Sequence, residues 1–153
     1  VLNEAHLLIG RAAMTSADYV SAKKEFTALA KVSSSAGAEA KYNLALIENK
    51  LGNFKSSQNK CFEVINQVPS YDYWIARSFI LLADNYIALK DTFQAKETLK
   101  SIIGNYEKSP DDPEDIRQLA QQRLDAMTAN EQVIPLKPEE KTEQETDINK
   151  EQK

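Results

Sequence analysis

The chain has 153 residues, 42% hydrophobic and 27% charged, with a mean hydropathy of -0.51, which suits an ordinary folded domain. One cysteine and one histidine exclude a disulfide framework and leave too little for a zinc site. The formal charge of -4 argues against a nucleic-acid partner, because such domains carry a basic footprint. Four glycines and five prolines, with none of the prolines before Pro69, are few for a sheet protein, and no apolar run approaches the roughly 18 residues that would span a bilayer. A helix-rich chain is expected, with no membrane insertion, metal or cofactor. The chain begins at Val1 rather than at a methionine, so an upstream part of a longer protein is expected, and a targeting segment would belong to that part.

From the first residues onward the chain repeats itself. Windows starting at Asn3, Ala38 and Ala76 place small residues in two shared columns: Gly10, Ala45 and Ala83, then Ala22, Ser57 and Ala95. Ile9, Leu44 and Leu82 precede the first column. Phe26, Cys61 and Leu99 follow the second by four positions, and Leu29, Val64 and Ile102 by seven. Spacings of four and seven put these residues on one helical face. The two columns lie twelve positions apart, which requires two helices and a turn. Small residues let antiparallel helices approach closely, and large ones fill the flanks.

Each window therefore predicts one helix pair, over about 3–36, 38–71 and 73–107. In the second, Lys50-Leu51-Gly52-Asn53-Phe54 supplies a glycine for the left-handed end of the first helix. Ser16-Ala17-Asp18-Tyr19 and Leu89-Lys90-Asp91-Thr92 hold the same place in the others, and Asp18, Asn53 and Asp91 are candidate caps of the helices that follow. Pro69 closes the second pair. Cys61 reads as a small buried apolar residue rather than a reactive thiol. Tyr71, Tyr73 and Trp74 read first as packing between the second and third pairs, and second as an exposed recognition patch.

On these columns the chain resembles the tetratricopeptide repeat family. The best-matching window is 38–71, with Ala40, Tyr42, Asn43, Leu44, the Leu51-Gly52-Asn53-Phe54 turn and Pro69 at the family's places. The first window has Ala13 where an aromatic is usual and Ser34 where proline is usual, and the third has Lys90 where the turn glycine is usual. The junction from Pro69 to Ala83 adds three residues to the period. It resembles the variant in bacterial cell-envelope members, such as outer-membrane assembly lipoproteins and Tol-Pal-associated factors. The resemblance implies an all-α fold, an α-α superhelix of three antiparallel helix pairs.

Past the third pair, Ser109-Pro110-Asp111-Asp112-Pro113-Glu114-Asp115 reads as a helix start, with Asp112 as cap and Pro113 first in the helix. Ile116, Leu119, Ala120, Leu124 and Met127 recur at helical spacing. A capping helix over 113–129 is expected, covering the last pair and closing a repeat domain over 1–129. Residues 130–153 hold seven acids, four lysines and no aromatic residue. They are expected to form a disordered acidic tail, unable to bury enough surface to offset its ordering entropy. That tail carries -3 of the charge and leaves -1 for residues 1–129.

No residues suggest catalysis. His6 stands alone, Asp84 and Glu48 are single helix-face acids, and Asp111, Asp112, Glu114 and Asp115 lack the spacing and glycine of a calcium loop. The family resemblance implies instead that the first helix of each pair lines a groove that takes a protein or peptide. Its candidate residues are Leu7, Arg11 and Met14 from the first pair, with Glu4 and Thr15; Tyr42, Asn43, Leu46, Asn49 and Lys50 from the second, with Glu39; and Arg77, Ile80, Asp84 and Ile87 from the third, with Ala88. Asn43 and Arg77 match two members of the carboxylate clamp of chaperone-binding relatives, whereas Leu7 and Leu81 stand where that clamp needs polar groups. Two functions are expected in order: a non-enzymatic protein-interaction scaffold, and a structural spacer that self-associates through an N-terminal face carrying Val1, Leu2, Leu8 and Ala12. A tail docked in a neighbour's groove is a third.

Overall fold

The computed structural model describes residues 1–132, and the expected tail lies outside them except for its first three positions. Seven helices follow one another: α1 (Leu2–Thr15), α2 (Tyr19–Leu29), α3 (Ser35–Lys50), α4 (Phe54–Ile65), α5 (Asp72–Ala88), α6 (Thr92–Asn105) and α7 (Ile116–Gln132). No strand occurs among the described residues. Each helix packs on the next in chain order, and α1 also touches α3, α3 touches α5, and α5 touches α7. The even-numbered helices do not touch one another. The chain is thus an all-α stack of helix pairs, with odd helices on the inner side of its curve and even ones on the outer.

The two small-residue columns are what let the pairs close. Gly10, Ala45, Ala83, Ala22, Ser57 and Ala95 are all buried. A Cβ added at Gly10 would lie 2.7 Å from Phe26 Cε1, so the Phe26 ring occupies the space the glycine vacates. Gly37 is tighter still: its added Cβ would meet the Val32 carbonyl oxygen at 1.9 Å. Three clusters divide the core. The first joins α1, α2 and α3 around Phe26, Leu29 and Ile47. The second joins α3, α4 and α5 around Cys61, Val64, Leu81 and Leu82, and the third joins α5, α6 and α7 around Ile80, Leu99, Ile102 and Ile116. No pair holds a core of its own, which is why the pairs stack.

One turn geometry serves all three pairs. Ala17, Gly52 and Lys90 take left-handed φ values of 56°, 79° and 62°. In each turn that residue's N–H donates to the carbonyl three residues back, from Met14, Asn49 and Ile87, and the next N–H donates to the carbonyl five back, from Ala13, Glu48 and Tyr86. This is a Schellman closure. It forms at Ala17 and Lys90 without glycine, because packing of the pair imposes the reversal on residues that resist it.

Two capping expectations are corrected. Asp18 and Asp91 cap as expected, accepting from Ser21 N and Gln94 N at 3.1 Å each. Asn53 makes no cap bond; its Nδ2 donates instead to Glu48 Oε2 at 3.0 Å. The last helix runs over Ile116–Gln132 rather than 113–129. Asp112 is drawn away from capping by Tyr106 Oη at 2.5 Å and Ser109 N at 2.7 Å, both donating to its Oδ2. The start falls to Asp115, which accepts from Arg117 N at 3.0 Å.

Candidate partner-binding groove

Because the odd helices touch across the pairs, their inner faces join into one surface, and polar bonds stitch it. Arg11 on α1 grips Glu39 on α3 with both Nε and Nη2, at 2.5 and 2.6 Å. This fork geometry fixes orientation as well as charge, and the bond to Glu39 raises the Arg11 pKa. Asn49 Nδ2 on α3 donates to Asn85 Oδ1 on α5 at 2.8 Å. Arg77 on α5 reaches Glu114, just before α7, at 2.6 Å, and Arg123 on α7 reaches Asp84 on α5 at 3.0 Å.

The Asn49 bond continues into the interior. Asn85 Nδ2 donates to Ser57 Oγ at 2.8 Å, and Ser57 Oγ donates to the Ala45 carbonyl at 2.8 Å. Asn85 and Ser57 are fully buried, so this chain satisfies groups that would otherwise cost about 1–3 kcal/mol each if left bare. At Ser57 the small-residue column also leaves room for this interior hydrogen bond. Beside it Cys61 is fully buried, and burial pushes its thiol up to about 12. It is a packing residue, not a nucleophile.

An aromatic group occupies the junction of the second and third pairs. Tyr42 and Trp74 rings lie 5.5 Å apart, and Trp74 meets Tyr73 edge-on at 5.0 Å. Arg77 Cζ lies 5.2 Å from the Tyr42 ring centroid, and its Nη2 donates to Tyr42 Oη at 3.0 Å. Burial raises the Tyr42 pKa and pushes the Tyr73 phenol up to about 12, with Glu114 adding to the second. Trp74 packs on the second core cluster and Tyr73 on the third. These aromatics join the pairs, in line with the packing reading.

The structure brings the twelve sequence-derived groove residues together on the odd helices, yet most are already engaged. Tyr42 and Ile80 are buried, Leu7, Met14 and Leu46 are half-buried against core clusters, and Arg11, Asn49, Arg77 and Asp84 form the bonds above. Asn43 Nδ2 donates to the Glu39 carbonyl within its own helix at 3.0 Å. With Asn43 and Arg77 both engaged, the partial clamp match gains nothing. Lys50 and Ile87 are exposed. Glu114 and Arg123 lie outside the groove residues read from the sequence, although α7, which extends the odd series, carries Arg123 and the turn just before it carries Glu114. Arg117 beside Asp115 is a nearest-neighbour charge pair of the kind a sequence shows; pairs 39 residues apart are not. Among the described residues, no group of His, Cys, Asp and Glu is placed to hold a metal ion, and no helix is long and apolar enough to cross a membrane.

Residues 73–109 match the tetratricopeptide repeat family model. That span covers α5 and α6, the third pair, whereas the repeat columns read most strongly in the second. No curated protein and no solved structure matches the chain. Tetratricopeptide repeats in general serve as protein–protein interaction scaffolds.

Proposed function

We propose that this chain is a non-enzymatic scaffold of the tetratricopeptide type, holding a peptide or partner segment along the inner face of α1, α3, α5 and α7. The observation that carries the reading is the contact pattern, in which odd helices touch across pairs and even ones do not, so one face runs the length of the array. Apart from Lys50, most of its charges pair off, as Arg11–Glu39, Arg77–Glu114 and Arg123–Asp84. Recognition then falls on apolar contact and single polar bonds near Lys50 and Ile87 rather than on strong charge attraction. A nucleic acid is not the partner this face suits, since no basic stripe runs along it. The resemblance of the 69–83 junction to bacterial cell-envelope repeat proteins supports an envelope location only through sequence.

Panning a peptide library against the chain tests the reading. Selected peptides should lose binding to Lys50→Glu/Ile87→Glu and keep it to Lys55→Glu/Phe62→Glu on α4 of the outer side. The opposite pattern would place recognition on the outer side and sink the proposal. The inner substitutions are chosen because neither residue holds a cross-helix bond, so lost binding does not report a loosened array.

A further inference from the structure

One place in the third helix pair can be read against its equivalent in the second. Ile75, Phe79 and Asn105 stand 38 positions after Gly37, Lys41 and Gln67. In the second pair this place is filled from within. Gly37 is buried under the Val32 carbonyl, and the half-buried Lys41 lays its stem across to Gln67, its Nζ donating to Oε1 at 3.0 Å. In the third pair it is open. Asn105 Nδ2 turns back to the Ser101 carbonyl at 2.9 Å within α6, and a cavity of about 300 Å³ lies between α5 and α6. Ile75, Phe79 and Ile102 give it an apolar floor, and the exposed Asp72 and Glu107 stand at its rim. No basic residue lines it. Among the described residues neither rim carboxylate is in an ion pair, whereas Glu39, Asp84 and Glu114 on the inner face all are. Lys108, next to Glu107 in the chain, reaches the Ser109 carbonyl at 3.2 Å, and Arg117 is held by Asp115 at 2.7 Å.

We propose that this cavity receives a lysine side chain carried by a partner protein segment, its stem over Ile75 and Phe79 and its ammonium against Asp72 and Glu107. The second pair argues for this occupant, because there the chain lays a lysine of its own across the same place. Where Phe79 replaces that lysine, an apolar floor for the four-carbon stem remains, and two carboxylates without internal partners complement the charge at its end. The site is separate from the inner face. Ile75 and Phe79 stand two positions either side of Arg77, so at about 100° per residue they lie roughly 160° around α5 from it. A segment held here therefore approaches from the outer side, where α4 and α6 do not touch.

Three pools of acetylated, fluorescently labelled nonapeptides test this, with a central lysine, norleucine or glutamate and random flanking residues, titrated with the full chain. The lysine pool should bind about fivefold more tightly than the norleucine pool, as two exposed ion pairs would give, and the glutamate pool more weakly than either. Asp72→Asn/Glu107→Gln should bring the lysine-to-norleucine ratio to one. Ser101→Lys, which supplies an ammonium to the rim from within the chain, should do the same. All three positions are exposed, so these variants keep the parent's circular-dichroism signal and melting temperature. The ratio should survive Lys50→Glu/Ile87→Glu, which makes it independent of whether the inner face holds a partner. No binding by any pool, equal binding of lysine and norleucine, or a lysine preference that outlasts the loss of both carboxylates overturns the proposal. So does a preference abolished by the Lys50→Glu/Ile87→Glu variant, which would move the lysine to the inner face.

Discussion

Ile9 and Leu82 occupy the same column of the repeat, yet Ile9 is 52% exposed and Leu82 only 3%. The difference comes from what lies before each helix: α4 covers α5, and no described helix covers α1. The opposite end is finished in another way, with α7 burying Ile116 and Ala120 inward and turning glutamines outward. A repeat thus sets where an apolar residue points, while its position in the array sets whether it is buried. Identical columns carry different energies at different places in one chain.

Several substitutions break or sharpen that contrast. The largest effect is expected from Leu82→Ala, which should cost about 3 kcal/mol in urea unfolding as a buried leucine truncation. Ile9→Ala, in the same column, should cost less than about 0.5 kcal/mol at concentrations where the chain is monomeric. Equal costs would mean that α1 is covered after all. Glycines repeat the contrast. Gly10→Ala should cost about 2 kcal/mol by forcing the Phe26 ring aside. Gly104→Ala should gain about 0.5 kcal/mol, since its Cβ would meet nothing within 4 Å and alanine favours the helix.

Acid should act chiefly on the junction of the first and second pairs. Glu48 is buried and accepts from Lys23 Nζ at 2.9 Å and Asn53 Nδ2 at 3.0 Å. The Lys23 bond, aided by Asn53, holds its carboxyl below the usual range against the opposing cost of burial. A lowered folded-state pKa contributes stability above the unfolded value that is lost as pH falls through the folded one. Glu48→Gln should therefore cost about 1 kcal/mol near neutrality, discounted because Lys23 is half exposed. The cost should shrink steadily as melting is repeated towards more acidic pH. A pH-independent difference would show that the Glu48 charge contributes nothing. The smallest effect is at the turns: Lys90→Gly should gain about 0.5 kcal/mol by relieving a left-handed residue, part of the gain being lost to the freer unfolded chain. A loss there would mean that the Lys90 side chain supports the third turn.

The repeat was legible because its signals are local. Columns four and seven apart read directly as helix faces, and Asp18 and Asp91 cap where a carboxylate precedes a helix. Asn53, in the same column, was misread because its amide found Glu48, which packing of the pair brings near. Asp112 misled for a similar reason, since Tyr106 and Ser109 claim its carboxylate and the helix starts three residues later than Pro113 suggests. The groove was half legible. Helical spacing put its residues on the odd helices, but the bonds that engage them join residues 28 to 39 apart, where the superhelical offset decides who meets whom. The third turn was undervalued because Lys90 hides a backbone shape that glycine advertises at Gly52.

The cross-pair bonds have a mechanical consequence. The bonds that join the odd helices lie on the inner edge of the curve, while the outer edge has no contact between even helices, so the array resembles a strip laced along one side. Straightening it must lengthen or break ion pairs; bending it further stretches none of them. Dissolved ions weaken such partly exposed pairs, so the resistance to straightening should fall as salt rises while the helices themselves persist. The curvature of the array is then set partly by the ions dissolved around it.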